Sequence, residues 1–121
     1  MRALEKKLNL DHLEIEAMIN FLALQVRRMK PDLIVGVTRG GLIPAVHLSH
    51  DSKVIKNAIK AKKTVVFVDD INDTGKTFEE IKNEYQGGKY VSLVERYTTT
   101  FETDAKSLLL EDDRWVHFYW E

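Results

Sequence analysis

The spacing of apolar residues divides the chain into short buried strands separated by helices. Apolar, mostly β-branched residues run together at Leu33–Val37, Val65–Val68 and Tyr90–Val94, which is typical of strands buried on both faces. Shorter apolar stretches at residues 106–110 and 116–120 predict two further strands at the edge of a sheet. Because helical patterns separate the strands, the sequence predicts an α/β fold with a mostly parallel central sheet flanked by helices.

The first helix has the clearest boundaries. Asp11 and Glu14 form a capping pair at its start, and Pro31 ends it. Its predicted apolar stripe consists of Leu13, Ala17, Met18, Phe21, Leu22, Gln25, Val26 and Met29. Further helices are predicted over residues 42–50, 52–61 and 78–85.

The strand at Val65–Val68 leads into the most informative segment of the chain. Asp69 and Asp70, which we call the acidic pair, follow the strand, and residues 73–77 (Asp-Thr-Gly-Lys-Thr) precede a helix. A strand that enters a helix through such a bend directs free N–H groups at one point, where the helix dipole adds positive charge. Residues 73–77, the phosphate bend, are therefore predicted to bind a phosphate. Carboxylates beside it suit sugar hydroxyls or Mg²⁺, so together the two features indicate a ribose 5-phosphate group.

Two classes of protein with short motifs similar to this segment, the P-loop NTPases and the receiver domains, can be excluded. A P-loop also ends in Gly-Lys-Thr, but it requires glycine five residues before Gly75, where this chain has Asp70. A carboxylate at that position would repel nucleotide phosphates. A receiver domain has an acidic pair after a strand, but near its N-terminus and without a phosphate-binding bend.

A second loop repeats the physics of the phosphate bend. Thr38, Arg39, Gly40 and Gly41 follow one predicted strand and precede a predicted helix, and we expect them to form a tight turn. The two glycines let an anion approach the backbone N–H groups closely, and Arg39 can add a charged contact to phosphate oxygens.

Composition places the chain among ordinary soluble domains. Its 121 residues predict one domain, residues 1–121, with 44% hydrophobic and 31% charged residues and a net charge of −1. This balance gives no nucleic-acid surface, and the absence of cysteine excludes disulfides and thiolate metal sites. No signal peptide or membrane span is apparent, so we expect a cytoplasmic protein without a membrane partner.

Residues 65–77 resemble the phosphoribosyl-pyrophosphate signature of the type I phosphoribosyltransferases, an apolar run and two acidic residues before Asp-Thr-Gly-x-Thr. The resemblance implies the fold of that family with a small C-terminal hood, and it implies Mg²⁺ as the cofactor. Thr38–Gly41 would bind the leaving pyrophosphate, and Asp69 and Asp70 would bind the ribose hydroxyls or Mg²⁺. The implied ligands of the 5-phosphate are Asp73, Thr74, Gly75, Lys76 and Thr77, and Asp73 would also be the catalytic acid–base.

The C-terminal part resembles the 6-oxopurine branch of this family, which includes the small xanthine-guanine and hypoxanthine enzymes. That branch has a Lys facing the purine O6 at the end of the strand that follows the signature helix. Arg96 lies at this spacing, although its guanidinium is larger and always charged. Trp115 would stack on the base, and the backbone of Val116 would contact its exocyclic substituent. The implied activity is transfer of the 5-phosphoribosyl group from phosphoribosyl pyrophosphate to guanine, xanthine or hypoxanthine by a homo-oligomer, with release of pyrophosphate.

Alternatives remain for the residues and for the function. Arg96 also fits a surface salt bridge, and Trp115 a core aromatic. The same fold would also suit a sensor that binds a phosphoribosyl ligand without turnover, or a transferase for another base.

One departure from the family concerns the segment between the two ligand loops. Family members have another strand and a long mobile loop there, which closes over the site. Residues 42–68 are too few for a helix, a strand and this lid. Either the protein lacks the lid or a stretch is missing from the sequence near residues 49–52. We favour the missing stretch, because the predicted helix ends without a turn residue.

Overall fold

The computed structural model describes residues 7–40, 45–112 and 114–118. In chain order the elements are β1 (Lys7–Leu10), α1 (His12–Met29), β2 (Leu33–Gly40), β3 (Ala45–Leu48), α2 (Ser52–Lys60), β4 (Val65–Asn72), α3 (Lys76–Glu84), β5 (Lys89–Arg96), β6 (Ala105–Leu110) and β7 (Trp115–Phe118).

A five-stranded sheet in the order β3-β2-β4-β5-β6 forms the centre of the molecule. The four strands β2, β4, β5 and β6 run parallel, and β3 joins the edge of β2 in the antiparallel direction. This arrangement confirms the predicted mostly parallel α/β sheet. The C-terminal strand β7 does not lie at the edge of the main sheet as expected, because it pairs with β1 in a separate two-stranded sheet.

The sheet has an apolar core on each face. On one face, Val66 and Val91 pack with Ile15 and Leu22 of α1. On the other face, Phe67 stacks against Tyr90 with ring centroids 5.2 Å apart, among residues of α2 and α3. Each large apolar side chain buried in this way stabilises the fold by about 1.5–3 kcal/mol. Both cores contain residues of β4 and β5, and the predicted phosphate bend and residues 97–104 follow the ends of these two strands.

The first helix forms where the sequence predicts it. Asp11 is its N-cap and accepts a hydrogen bond from Glu14 N (2.8 Å). Three residues of the predicted stripe are misplaced, however, since Leu13 is 74% exposed, Phe21 is 50% exposed and Ala17 is exposed as well. The side chains that face the sheet are those of Ile15, Met18, Leu22, Val26 and Met29. Helix α1 packs on β5 and β6 through the face that carries Ile15, which leaves Leu13 exposed.

The segment after β2 differs from its prediction. Strand β2 continues through residues 38–40, which were predicted to form a tight turn with Gly41. Gly41 itself lies outside the described residues. The predicted helix over residues 42–50 is also wrong, because Ala45–Leu48 is a strand. Val46 and Leu48 pack on the core, whereas His47 between them is exposed. This alternation of buried and exposed side chains is that of a strand, and it replaces the helical spacing expected from the sequence. Pairing with β3 also satisfies the backbone groups along the free edge of β2.

The chain passes directly from β3 into α2, the helix expected near residues 52–61. Ser49 N donates to Gly36 O (2.9 Å), and the Ser49 hydroxyl accepts from Gly36 N (2.8 Å). Asp51 then caps α2 by accepting from Lys53 N (2.8 Å). These bonds connect β3 to α2 through residues 49–52, and the expected missing stretch at that place stays a prediction. Within residues 45–64, a short strand and a helix stand where the family has its extra strand and long loop.

None of the helices within the described part of the chain has the length and apolar character needed to cross a membrane.

Candidate active site

The carboxyl ends of β2 and β4 lie side by side because the two strands are paired in parallel. A cavity of about 600 Å³ opens at this edge of the sheet. Its lining includes Thr38 from β2, the acidic pair from β4 and the whole phosphate bend. Of the predicted pyrophosphate segment Thr38–Gly41, the structure thus brings Thr38 to the same cavity as the phosphate bend.

Gly75 shapes the phosphate bend. It is the N-cap of α3 with a backbone φ of 93°, a left-handed conformation that favours glycine. Gly75 has no side chain to cap α3, and Thr74 Oγ1 accepts only a long hydrogen bond of 3.3 Å from Lys76 N. Residues 76–78 at the start of α3 line the cavity, where the positive end of the helix dipole favours an anion.

The acidic pair lies within β4, which continues to Asn72 and does not end before Asp69 as predicted. Asp69 is 9% exposed, and its Oδ1 accepts a hydrogen bond from Asp70 N (2.7 Å). Burial, reinforced by the side chain and charge of Asp70, raises the pKa of Asp69 to about 8. At neutral pH the pair therefore holds a proton, which it can lose when a cation binds. A partly protonated pair can both donate to and accept from sugar hydroxyls.

Arg96 connects the phosphate bend to the C-terminal segment. It is the last residue of β5, and its Nε donates to Asp73 Oδ1 at 2.6 Å. Its Nη1 donates to the carbonyl oxygen of Asp112 (2.7 Å), and its Nη2 donates to that of Arg114 (3.0 Å). The Arg96 side chain is only 12% exposed, whereas that of Asp73 is 50% exposed. The sequence allowed Arg96 either a contact with the base or a surface salt bridge. The structure shows a salt bridge, and its partner Asp73 belongs to the phosphate bend.

A buried polar network centred on Glu95 binds Asn72, the residue directly before the phosphate bend. Glu95, 3% exposed, accepts hydrogen bonds from Asn72 Nδ2 (3.0 Å) and from the Thr103 hydroxyl (2.6 Å). Its second oxygen pairs with Lys106 Nζ at 3.0 Å. Burial alone would raise the pKa of Glu95, but the hydrogen bonds from Thr103, Lys106 and Asn72 lower it below its ordinary value.

Residues 97–104 hold the phosphate bend in place, whereas the sequence indicates only a polar loop over residues 98–104. Thr100 N donates to Thr74 O (3.0 Å), and the Thr100 hydroxyl donates to Glu79 Oε1 (2.7 Å). Asn72 Nδ2 donates to Phe101 O (2.6 Å). Sequence reasoning missed this role. The available signal was a run of threonines directly after the strand β5, whose carboxyl end lies beside that of β4.

The remaining predicted residues lie at the ends of strands. Arg39 and Gly40 pair with Val46 and Ala45 at the end of β2. Trp115 begins β7, the strand whose preceding carbonyl groups bind Arg96, and Val116 is buried in the core. Arg96 therefore connects the segment before β7 to Asp73 of the phosphate bend.

Comparison with known proteins agrees with this geometry. A scan against models of protein families finds no match. Among curated proteins, the chain is similar to the xanthine-guanine phosphoribosyltransferase of Cereibacter sphaeroides, with 25% identity covering 73% of this chain and 68% of that protein. It is also similar to the enzyme of the same name from Idiomarina loihiensis, with 26% identity covering 73% and 70%.

Solved structures resemble almost the whole chain. A purine phosphoribosyltransferase from Pyrococcus horikoshii superimposes with a TM-score of 0.72 and 30% identity, covering 96% of this chain and 94% of the other. The xanthine-guanine-hypoxanthine phosphoribosyltransferase of Helicobacter pylori superimposes with a TM-score of 0.65 and 18% identity, covering 93% of this chain and 92% of the other. At this identity the likeness supports the fold alone. With the acidic pair and the phosphate bend lining one cavity, these similarities show that the chain belongs to the type I phosphoribosyltransferase family of enzymes, close to its xanthine-guanine members.

Proposed function

We propose that the protein transfers the 5-phosphoribosyl group from phosphoribosyl pyrophosphate to a 6-oxopurine base (guanine, xanthine or hypoxanthine) and releases pyrophosphate. The observation that carries the proposal is the single cavity lined by the acidic pair, the uncapped start of α3 and Thr38. Its volume of about 600 Å³ lies within the usual range of small-molecule sites.

The chemistry follows from where charge develops. As pyrophosphate leaves, the ribose C1 becomes cation-like, so the site must stabilise the departing anion and hold the base in line. In this proposal the phosphate bend fixes the 5-phosphate, and Thr38–Gly41 receives the pyrophosphate. The acidic pair binds the ribose hydroxyls, and Asp73 exchanges a proton with the purine ring.

Magnesium fits the acidic pair by its donor chemistry. Among the described residues no group of three or more His, Cys, Asp or Glu is placed to hold a metal ion. Mg²⁺ in phosphate-transfer sites needs only one or two carboxylates together with substrate phosphates, which Asp69 and Asp70 supply at the cavity wall. The ion would neutralise pyrophosphate oxygens, and its charge would favour loss of the proton that Asp69 holds.

Base recognition is proposed to use Arg96, Trp115 and Val116. Within the described part of the chain, three of the five N–H groups of the Arg96 guanidinium donate to protein oxygens, which leaves two for a carbonyl oxygen such as the purine O6. Val116 lies in β7, which begins directly after Arg114. Because the carbonyl oxygen of Arg114 accepts from Arg96, the backbone of Val116 is two residues along the chain from a contact of Arg96.

The test is an assay of pyrophosphate release with Mg²⁺ and phosphoribosyl pyrophosphate. We expect release with at least one of guanine, hypoxanthine and xanthine, and less than a tenth of that rate for Asp73→Asn. Folded protein that is silent with all three bases would refute transfer to a 6-oxopurine. Adenine and uracil serve as controls for the choice of base.

A ligand sensor without turnover is the second candidate. The observation in its favour is the short segment of β3 and α2 at residues 45–60, where family members have the lid that excludes water. Calorimetry that detects tight binding of phosphoribosyl pyrophosphate by a protein without turnover would support the sensor.

We also propose that copies of the chain associate. The outer face of α1 exposes Leu13, Phe21 and Leu24, and Ile34 of β2 is exposed as well. Large apolar side chains on one face favour burial against another surface. Light scattering with the α1 variant Leu24→Glu would test association, and a wild-type mass of one chain would contradict it.

A further inference from the structure

The phosphate bend contains a charge of the wrong sign for its ligand. Asp73 is the first residue of the bend, and its side chain is half exposed beside the uncapped start of α3. A sugar phosphate bound to residues 73–77 carries up to two negative charges. An uncompensated carboxylate within the same bend would repel that phosphate and offset the attraction of the helix dipole.

The structure provides the compensating charge. Arg96 Nε is 2.6 Å from Asp73 Oδ1, a charge-assisted hydrogen bond. The guanidinium is held in place by its two other donations, to the carbonyl oxygens of Asp112 and Arg114. Because the Arg96 side chain is 12% exposed, water screens this pair less than it would screen a surface pair.

We propose that Arg96 is a positioning residue that makes phosphate binding possible by neutralising Asp73, without needing to touch the phosphate itself. The inference rests on the proposed function, since it takes residues 73–77 as the 5-phosphate site. It assigns Arg96 a role in binding phosphate that is separate from its proposed contact with the base.

Charge neutralisation differs from a direct contact in what a second substitution does. If Arg96 only neutralises Asp73, phosphate binding lost with Arg96→Met returns when Asp73 is also made neutral. If Arg96 contacts the phosphate, or merely supports the fold, removal of Asp73 as well cannot restore binding. A double-mutant cycle therefore separates the two explanations.

The experiment measures binding of ribose 5-phosphate by calorimetry at pH 7.5 and low salt, with no base present. We expect Arg96→Met to bind about tenfold more weakly than wild type, because it leaves a like charge at the site. Asp73→Asn should bind at least as tightly as wild type. The Asp73→Asn/Arg96→Met double variant should return to within about threefold of wild type.

Matched variants control for net charge and for hydrogen bonding. Arg114→Met also removes one positive charge near the segment, but its side chain pairs with Asp112 and not with Asp73, so binding should change less than about twofold. Should Arg96→Met fail to fold, Arg96→Lys and Arg96→Gln replace it. Lys keeps the charge and should retain binding, whereas Gln keeps a donor without the charge and should lose it.

Two results would overturn the inference while leaving the phosphate site intact. One is wild-type affinity in Arg96→Met, and the other is a double variant as weak as Arg96→Met. Wild-type protein that binds no ribose 5-phosphate would overturn both the inference and the phosphate site. Wild-type protein that binds it but releases no pyrophosphate in the assay would refute the proposed reaction alone.

Discussion

Gly75 and Phe101 approach so closely that no side chain fits between them. A Cβ built on Gly75 would lie 2.7 Å from the main-chain N of Phe101 and 2.8 Å from its Cβ. The residue that starts α3 is therefore packed against the loop of residues 97–104, and the geometry of the phosphate bend depends on a segment far along the chain.

Gly75→Ala should destabilise the protein by about 2–4 kcal/mol, because a positive φ and a backbone clash act together. The matched control is Gly87→Ala, which also has a positive φ (117°) but meets only a side-chain methyl at 3.2 Å. We expect this control to lose about 1–2 kcal/mol. Urea unfolding measures both, and equal losses would contradict the importance of the contact with Phe101.

Asp69 should make the ligand-free protein less stable as the pH rises. The pKa of Asp69 is about 8 in the folded protein against an ordinary value of 3.8, so the folded state holds a proton that the unfolded state releases. Stability therefore decreases with rising pH between these two values and levels off above the upper one.

Asp69→Asn should remove this dependence and increase stability at pH 8 by about 2–4 kcal/mol, given about 1.4 kcal/mol for each unit of pKa. The exposed Glu102→Gln serves as the control and should keep the wild-type slope. Urea unfolding at pH 5 and pH 8 gives the comparison. A slope retained in Asp69→Asn would show that another group carries it.

Glu95 should have the opposite dependence on pH. Its hydrogen bonds lower the pKa below the ordinary value of 4.5, so its contribution is complete above that value and is lost as the pH falls through the folded pKa. Glu95→Gln should lose about 1–3 kcal/mol at pH 7, since it replaces charge-assisted bonds within a buried network. Thermal unfolding at pH 7 and pH 4 should show a smaller difference between variant and wild type at the lower pH. A constant difference would exclude ionised Glu95 as the source.

Thr100→Val should weaken binding of ribose 5-phosphate by about three- to tenfold, with a loss of stability of about 0.5–1.5 kcal/mol. The variant keeps the backbone bond from residue 100 to Thr74 but loses the hydroxyl donations to Thr74 O and to Glu79 in the first turn of α3. Thr98→Val in the same loop, where Thr98 is exposed, is the control and should bind as wild type does. Equal affinities for the two variants would mean that loop 97–104 does not order the phosphate bend.

Much of the site could be predicted because its parts are consecutive in the chain. The buried strand, the acidic pair, the bend and the following helix are all encoded within residues 65–84, and each has a local physical signal. An apolar run fixes β4, a glycine with positive φ marks the N-cap, and the absence of a side-chain cap leaves the N–H groups open. Parallel pairing of β2 and β4 follows from the alternation of strands and helices, and it brings Thr38 to the same cavity.

Tertiary structure alone decided the contacts between distant segments. The sequence predicted a helix where β3 forms, because a short apolar stretch fits both periods and only the open edge of β2 selects the strand. It placed Arg96 at the end of β5 but could not show that Asp73 and two carbonyl groups bind its guanidinium. Nor did it show loop 97–104 packed on Gly75. Local signals depend on neighbours in the chain, whereas these contacts depend on how the parallel strands align, which is set by burial of side chains across the whole sheet.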